Sequence, residues 1–217
     1  MSIRIVIVDD HELVCESVGQ MLAGELGLEI VGMGHDGRMG VELARELKPD
    51  IIIMDISMPH LNGIEATRLI TKQFEFVKII ALSASSDARS VREMLKAGAK
   101  GYVPKTCPFS ELLNAVMAVA SGQMYLSSQI SGIVVDGYVN KLTHKDESAY
   151  SVLTVREREV LQLIAEGLST KSVAKELYVS PKTVEWHRCQ IMRKLDIQSV
   201  AEMVKYAINE GLICVGT

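Results

Sequence analysis

The residues best suited to chemistry in this chain are carboxylates that directly follow apolar, strand-like segments. The continuous apolar run Ile51–Met54 is typical of a strand buried on both faces of a parallel sheet, and it leads directly into Asp55. The apolar segment Ile3–Val8 leads in the same way into Asp9 and Asp10. Open α/β sheets place their chemistry at the carboxyl edge of the strands, so these acids are candidates for one site. An Asp at a strand exit also commonly caps the following turn, and each acid taken alone leaves that alternative open.

Carboxylates that converge on one edge of a sheet favour a bound cation, because like charges held close together are costly. A hard divalent cation with oxygen ligands, by preference Mg²⁺, meets that requirement. Ser83 and Lys105 follow two further strand-like segments and are expected at the same edge. With Asp55 attacking phosphorus and Lys105 and Mg²⁺ neutralising the phosphoryl oxygens, these are the parts that make and hold an acyl phosphate. A serine at a strand exit is usually a turn residue and a lone lysine is usually solvated, so the prediction depends on a shared edge.

The elements that must position these residues alternate along residues 1–122. Strands are predicted at residues 3–8, 29–33, 51–54, 78–82 and 101–103. Helices are predicted at residues 11–24, 37–47, 64–74, 88–97 and 110–120. Five βα units in a row imply a doubly wound α/β domain with a five-stranded parallel sheet and right-handed connections. The small size fits the flavodoxin-like strand order 2-1-3-4-5, whose switch point lies between the strands that end at Asp9 and Asp55.

Residues 123–150 lose this alternation and are predicted to be a linker, because they carry serines, glycines and the polar run 143–148. A fully disordered linker would rarely carry so many aliphatic residues, so one short helix is expected within it. The aliphatic residues concerned are Ile130, Ile133, Val134 and Val139.

Residues 151–217 show helical periodicity throughout and predict an all-α domain of four helices. Thr154 and Glu157 have the spacing of a capping box, which starts a helix running to about residue 166. A second helix begins near Thr170. Ser180 and Pro181 predict the N-cap and first residue of a third helix that runs to about residue 195, and a fourth spans about 200–209. The second and third helices, joined by a short turn, form a helix-turn-helix pattern.

The third helix of this domain has one apolar side and one basic side. Residues 181–195 contain four basic residues and one acid, a local net charge of +3 in a chain whose net charge is −4. A helix of this kind can enter the major groove of DNA. The alternatives are a solvated helix in a small bundle, or a domain that binds protein or RNA. A helical wheel of this third helix places Val184, Ile191 and Leu195 on the core side. It places Lys182, Trp186, Cys189 and Arg193 on the opposite side.

Composition narrows the class of protein further. No apolar run approaches the roughly 20 residues of a membrane span, and the N-terminal segment predicts a first strand instead of a signal peptide. The cysteines are far apart and form no C-x-x-C pair, which predicts reduced thiols in a cytoplasmic protein without a zinc site or disulfide framework. They are Cys15, Cys107, Cys189 and Cys214.

The first 122 residues resemble the receiver domain of two-component response regulators. The resemblance lies in the segments VDDH at 8–11, MD at 54–55 with MP at 58–59 and Gly63 after it, LSA at 82–84 and GYVPK at 101–105. It covers the whole of this domain in order and spacing.

This resemblance implies a phosphoacceptor, Asp55, to which a sensor histidine kinase donates a phosphoryl group. It implies a set of Mg²⁺ ligands, namely Asp9, Asp10, Asp55 and the backbone carbonyl of Ser57. Lys105 would contact the phosphoryl group, Ser83 would move toward it, and Tyr102 would swing inward behind Ser83. The chain would then assist only its own phosphoryl transfer and dephosphorylation and would not be an enzyme in any wider sense.

Residues 151–217 resemble the LuxR-type (NarL-like) DNA-binding domain. The resemblance lies in LTVREREVL at 153–161, IAEGLS at 164–169, VA at 173–174, VSPKTVEWH at 179–187 and MRKL at 192–195. It implies that Glu185, Trp186 and Cys189 lie where relatives read bases. It also implies contacts with the DNA backbone from Lys182, Thr183, Arg188 and Arg193. Trp186 is larger than the small or aliphatic residue expected at its position, which bears on the target sequence.

The family uses the fourth helix for dimerisation. That helix carries apolar residues on two sides, of which one must face the core and the other is a candidate dimer surface. Met203 and Tyr206 lie on one side and are predicted as dimer candidates. The residues on the other side are Ala201, Val204, Ala207 and Ile208. A homodimer formed on phosphorylation would read inverted repeats in promoter DNA and could contact RNA polymerase.

The sequence therefore predicts a phosphorylation-controlled transcription factor. A rival hypothesis is a phosphohydrolase with an aspartyl-phosphate intermediate on a similar sheet. Such enzymes commonly have a second acid two residues after the nucleophile, where this chain has Ser57, and a cap insertion that this chain lacks. The helix-turn-helix domain would also have no role in that hypothesis.

Overall fold

The computed structural model describes residues 2–84, 87–141 and 152–213, which divide into two compact units, 1–144 and 145–217. The predicted polar run at 143–148 and Cys214 lie outside the described residues. No helix in the described part of the chain is both long enough and apolar enough to cross a membrane. The cysteines that are described, Cys15, Cys107 and Cys189, are free thiols.

The N-terminal unit alternates strands and helices along the chain. Its strands are β1 (Ile3–Val8), β2 (Leu28–Gly34), β3 (Ile51–Met54), β4 (Lys78–Ser83), β5 (Gly101–Pro104) and β6 (Tyr125–Leu126). Its helices are α1 (Glu12–Ala23), α2 (Gly37–Leu47), α3 (Gly63–Gln73), α4 (Ala88–Lys96), α5 (Phe109–Ala120) and α6 (Ser128–Lys141).

The strands form one parallel sheet in the order β2-β1-β3-β4-β5-β6. The order of the first five confirms the predicted flavodoxin-like topology. The prediction of a five-stranded sheet is wrong by one short strand, because β6 adds to the edge beside β5. Two residues are too few to show an alternating pattern, and β6 is held by backbone pairing. The N–H of Tyr125 donates to the carbonyl of Lys100 at 2.9 Å, and that of Ser127 donates to the carbonyl of Tyr102 at 3.2 Å.

Helix α6 is longer than the single short helix expected between residues 123 and 150. Gly132 lies inside it although glycine disfavours helices. Ile130 is fully buried, its N–H donates to the Ser127 hydroxyl at 3.4 Å, and α6 packs against α4. Tertiary packing therefore outweighs the local turn signals of this segment.

The central strand β3 is buried along its whole length, as its unbroken apolar sequence predicts. On one face of the sheet, alternate strand residues such as Ile5, Ile7 and Ile53 pack against Leu22 of α1 and Val116 of α5. Helices α2 and α5 both contact β3, and pairing with β1 and β4 fixes the carboxyl end of β3 beside theirs.

In the described part of the C-terminal unit, residues 152–213, the four predicted helices are present. They are α7 (Val155–Ala165), α8 (Thr170–Glu176), α9 (Pro181–Leu195) and α10 (Val200–Asn209). The Thr154–Glu157 capping box is present: the hydroxyl of Thr154 accepts the N–H of Glu157, and the Glu157 carboxylate accepts the N–H of Thr154. Ser180 caps α9 by accepting the N–H of Thr183 at 3.1 Å, with Pro181 at the first helical position.

Candidate functional site

The carboxyl edge of the sheet brings the predicted acids and the lysine together. Asp55 follows β3, and its N–H donates to the carbonyl of Val8 at 2.8 Å, which holds the ends of β3 and β1 side by side. The ammonium of Lys105 lies 2.6 Å from Asp9 Oδ2 and 3.3 Å from Asp55 Oδ1. Asp9 and Asp55 are buried, with 1% and 3% of their surface exposed. One lysine thus bridges two buried carboxylates that are 46 residues apart in the chain.

The electrostatics of this edge follow from burial and from the close charges. Burial raises the pKa of Asp55 to about 6. The positive charge of Lys105 offsets part of this effect of burial, and the negative charge of Asp9 adds a smaller increase. Burial lowers the pKa of Lys105, but the neighbouring carboxylates of Asp55 and Asp9 outweigh it and raise the pKa overall. At neutral pH the site therefore holds a charged lysine and a mostly ionised Asp55.

Asp10 stands at the outer side of the site with His11, a residue that the sequence reasoning missed. His11 Nδ1 lies 2.8 Å from Asp10 Oδ1 and 3.2 Å from Asp9 Oδ1, and one ligand atom of each of these residues falls within 4.8 Å of the others. The position of His11 directly after the Asp9–Asp10 pair was the sequence signal that could have identified it as a site residue. Ser57, two residues after Asp55, is half-buried in the loop that follows β3.

The predicted switch residues lie behind Asp55. Ser83 ends β4 and Tyr102 lies in β5; both are buried, and the Tyr102 hydroxyl is hydrogen-bonded to Ser83. Burial raises the pKa of Tyr102, so its hydroxyl keeps its proton. The carbonyl of Ser83 accepts the N–H of Lys105 at 2.8 Å, which ties the two strand ends together. The tyrosine that was expected to swing inward is already inward in this structure.

Gly63 fixes the loop after Asp55 by a close approach of backbones. A Cβ atom at Gly63 would overlap the carbonyl oxygen of Asp55, and its N–H donates to the carbonyl of Ile56 at 2.9 Å. Asn62 caps α3 by accepting the N–H of Glu65 at 3.0 Å. Only a residue without a side chain allows the start of α3 to press against the carboxylate-bearing strand end.

Helix α9 presents most of the predicted DNA-contacting side chains to solvent. Val184 and Ile191 are buried in the core of the C-terminal unit, as the helical wheel predicts. The exposed residues on the other side include Lys182, Glu185, Trp186, Cys189 and Arg193. Thr183 is half-buried, and its hydroxyl lies 2.8 Å from that of Ser180 in the helix cap.

Arg188 lies on the flank of α9 and is about one-third exposed, with its guanidinium 3.7 Å from Glu185 Oε2. His187 packs edge-on against the ring of Trp186, with ring centroids 4.9 Å apart. Burial, with the nearby charge of Arg156, lowers the pKa of His187, so that its ring is neutral at pH 7. This agrees with a packing role for His187.

One predicted dimer candidate is wrong. Met203 is fully buried in the core of the C-terminal unit, where α10 packs on α7, so it cannot lie on an exposed dimer face. Tyr206 is half-buried against the same core. Among the apolar residues on the other side of α10, Ala201 and Ile208 are exposed and Val204 is half-exposed, while Ala207 is buried. The exposed apolar face of α10 is therefore formed by residues at positions 201, 204 and 208.

The fold and the site together define a receiver domain joined to a helix-turn-helix domain. Residues 5–117 match the family model described as "Response regulator receiver domain", and residues 151–207 match "Bacterial regulatory proteins, luxR family". The chain belongs to the LuxR-type response regulators of two-component systems, which join a receiver domain to a LuxR-type DNA-binding domain.

Individual relatives agree with this assignment. The chain is 37% identical to the transcriptional regulatory protein DegU of Brevibacillus brevis, over 97% of this chain and 95% of that protein. It is also 37% identical to the transcriptional regulatory protein LiaR of Bacillus subtilis, over 97% of this chain and 99% of that protein. Among solved structures, a LuxR-family response regulator from Aurantimonas matches with a TM-score of 0.61 and 31% identity, over 64% of this chain and 99% of that one.

Proposed function

We propose that this chain is a cytoplasmic response regulator whose Asp55 accepts a phosphoryl group from a sensor histidine kinase, and that phosphorylation controls sequence-specific DNA binding. The observation that carries the proposal is the Lys105 ammonium between two buried carboxylates, 2.6 Å from Asp9 and 3.3 Å from Asp55. In this proposal residues 1–122 form the receiver, 123–150 the linker and 151–217 the DNA-binding domain.

Asp55 is the nucleophile of the proposed phosphoryl transfer. One of its carboxylate oxygens bonds to phosphorus while the phosphorus–nitrogen bond to the kinase histidine breaks, and the imidazole keeps the electron pair and takes a proton from water. With a pKa of about 6, most of the Asp55 side chains are ionised at pH 7, as this attack requires. Lys105 contacts the phosphoryl oxygens and offsets their charge. The same groups assist hydrolysis of the acyl phosphate, and no other reaction is assigned to the chain.

The proposed Mg²⁺ ligands are Asp9, Asp10, Asp55 and the backbone carbonyl of Ser57. All of these donors are oxygen atoms, and the carboxylates of Asp9 and Asp10 approach within 4.8 Å, which is the hard, negatively charged donor set that Mg²⁺ prefers. When bound, the ion supplies positive charge that offsets repulsion between the carboxylates and the phosphoryl oxygens. The single Lys105 ammonium lies against both Asp9 and Asp55 and offsets only one of their negative charges, which supports a bound cation at this edge.

The proposed switch runs through Ser83 and Tyr102. A phosphoryl group on Asp55 offers new acceptor oxygens to the Ser83 hydroxyl, which is hydrogen-bonded to Tyr102 in the unphosphorylated chain. A change of partner at Ser83 shifts the balance between two arrangements of β4, β5 and α4. The local change in charge thereby reaches the face of the receiver against which α6 packs.

For DNA binding, α9 enters the major groove. Its solvent-facing side chains support base contacts from Glu185, Trp186 and Cys189. The phosphate and sugar contacts are assigned to Lys182, Thr183, Arg188 and Arg193. Because basic side chains replace counterions on the DNA, affinity for duplex DNA falls as the salt concentration rises.

The phosphorylated chain forms a homodimer that binds inverted repeats in promoter DNA, where it contacts RNA polymerase. The exposed apolar face of α10, at positions 201, 204 and 208, supports this role, with Tyr206 at its edge. Isologous packing of this face in two copies would bury it from water.

The phosphoacceptor is tested by incubating the purified chain with Mg²⁺ and acetyl phosphate and measuring the intact mass. We expect one phosphoryl adduct on the wild type and none on Asp55→Asn. Asp50→Asn is the matched control, because Asp50 lies at the other end of β3, where its carboxylate accepts the N–H of Arg4 at 2.8 Å. An adduct on Asp55→Asn equal to that on the control would contradict the proposal.

A further inference from the structure

Glu185 on the exposed side of α9 is held in place by the helix before it. The hydroxyl of Thr170, the first residue of α8, donates to Glu185 Oε1 at 2.7 Å, which joins the two helices of the helix-turn-helix. The other carboxylate oxygen lies 3.7 Å from the guanidinium of Arg188. The side chain of Glu185 is still 49% exposed, so its carboxylate is oriented without being removed from the surface.

An acid at this position is unexpected on charge alone. Glu185 is the one acid among four basic residues in 181–195, on a surface that would approach the phosphates of DNA. An ionised carboxylate only accepts hydrogen bonds, so it contributes favourably to DNA binding only where a base offers a hydrogen-bond donor. Repulsion from phosphate and loss of hydration otherwise make it unfavourable.

The major groove offers such donors at two bases. Guanine presents two acceptors there, and thymine presents an acceptor beside a methyl group, so both disfavour a carboxylate. Adenine presents its amino group beside the N7 acceptor, whereas cytosine presents its N4 amino group without an acceptor of its own. A carboxylate that arrives in a fixed orientation is therefore best matched by cytosine.

We propose that Glu185 reads the N4 amino group of a cytosine in each half-site, and that Thr170 is the positioning residue that holds its carboxylate toward the base. The inference rests on the proposed DNA-binding function and adds a base and a second residue to it. The Thr170 hydroxyl holds the Glu185 side chain in one rotamer before DNA binds. Without this hydrogen bond, ordering the side chain on binding would cost conformational entropy. Thr170 thus contributes to specificity without contacting the base.

The test is selection of duplexes from a randomised library by the full-length chain, phosphorylated with acetyl phosphate and Mg²⁺, followed by sequencing. For the wild type we expect a motif in which cytosine is preferred over the other bases at one position of each half-site. The expected preference is about 5- to 10-fold, at the lower end of the discrimination that one side chain–base contact provides. Glu185→Ala should flatten the preference at that position and leave the other positions of the motif unchanged.

Variants of the positioning residue make the test specific. Thr170→Val removes the hydroxyl but keeps the shape, and should weaken the cytosine preference several-fold at the same position. Thr170→Ser keeps the hydroxyl and should show the wild-type preference for cytosine. Ser172→Ala is the matched control, because the Ser172 hydroxyl, in the same helix, bonds within its own cap to that of Ser169 at 2.8 Å.

The outcomes separate this inference from the function on which it rests. A wild-type motif that Glu185→Ala leaves unchanged, or weakens equally at every position, overturns the reading of cytosine while DNA binding stands. A cytosine preference that Thr170→Val leaves intact overturns the positioning role. A wild type that enriches no sequence overturns both the inference and the proposed DNA-binding function.

Discussion

Tyr102 and Leu126 face each other in the neighbouring parallel strands β5 and β6. The carbonyl of Tyr102 accepts the N–H of Ser127 at 3.2 Å, and α6 begins at the next residue. The side chain of Tyr102 is hydrogen-bonded to Ser83 at the phosphoacceptor edge. One backbone pairing therefore joins the proposed switch to the start of the segment that leads to the C-terminal unit.

This pairing predicts that breaking it uncouples phosphorylation from DNA binding. Ser127→Pro removes the N–H that bonds to Tyr102. We expect phosphorylation by acetyl phosphate to remain at the wild-type rate, and the gain in DNA affinity on phosphorylation to fall several-fold, measured by fluorescence anisotropy. Ser128→Pro is the control, because proline is tolerated at the first position of a helix. A full phosphorylation response in Ser127→Pro would show that β6 carries no signal.

Gly63→Ala is predicted to disturb the phosphoacceptor edge. Its new Cβ would overlap the carbonyl oxygen of Asp55, so either the loop or the end of β3 must move. We expect a loss of about 1–3 kcal/mol in the free energy of unfolding by urea, together with slower phosphoryl uptake. Gly132→Ala is the matched control, because a Cβ there meets open space within α6, and it should stabilise by about 0.5–1 kcal/mol. Equal stability of Gly63→Ala and wild type would contradict the close packing of this loop.

The pKa of Asp55 predicts how stability depends on pH. Burial raises that pKa from 3.8 to about 6, so the folded chain binds the proton more tightly than the unfolded chain. The stability from this group is fully present below pH 3.8 and is lost as the pH rises through about 6. Asp55→Asn carries no charge. We expect it to be more stable than wild type by about 3 kcal/mol at pH 7.5 without divalent cations, measured by urea unfolding.

The difference in the free energy of unfolding between the wild type and Asp55→Asn should shrink to about 1 kcal/mol at pH 4.5. At that pH most of the folded wild-type chains carry a protonated Asp55. At pH 7.5, addition of Mg²⁺ should stabilise the wild type more than Asp55→Asn. A stability difference that does not vary between pH 4.5 and 7.5 would count against the burial of an ionisable Asp55.

Much of the first domain could be predicted because its signals are local. The apolar run that ends at Asp55 predicts a doubly covered strand, and the parallel topology then brings Asp9 and Lys105 to the same edge. The inward position of Tyr102 was not predictable, because it depends on the space behind Ser83 and not on any sequence pattern. Strand β6 was missed because its two residues are held only by their pairing with β5.

The faces of α10 show a second limit of sequence reasoning. This helix carries apolar residues on two sides, and the wheel alone does not tell which side meets the core. The packing of α10 on α7 decides the matter, burying Met203 and Ala207 and leaving Ala201 and Ile208 exposed. Likewise, the bond from Thr170 to Glu185 joins residues that no local pattern connects.

Glu157 is predicted to stabilise the C-terminal unit in a pH-dependent way. Burial raises its pKa, but hydrogen bonds from Lys194 and Thr154 outweigh this and lower the pKa overall. The stability from this group is therefore present above pH 4.5 and is lost as the pH falls through the lower, folded pKa. We expect Glu157→Gln to cost about 1–2 kcal/mol at pH 7 and less at pH 4, measured by chemical unfolding.

Glu159→Gln is the control for this prediction. Glu159 pairs with Arg156 at 2.6 Å within α7, in a partly exposed pair that contributes only about 0.3–0.5 kcal/mol. If Glu157→Gln and Glu159→Gln lose the same stability at both pH values, the cap of α7 has no special role.

The most direct test of phosphorylation-controlled DNA binding is the dissociation constant for a selected duplex, measured by fluorescence anisotropy before and after treatment with acetyl phosphate and Mg²⁺. We predict that treatment tightens binding by the wild type at least several-fold and leaves binding by Asp55→Asn unchanged, with both chains losing affinity as salt rises. An equal gain in affinity in both chains, or no gain in a wild type shown by its intact mass to be phosphorylated, would contradict control through Asp55.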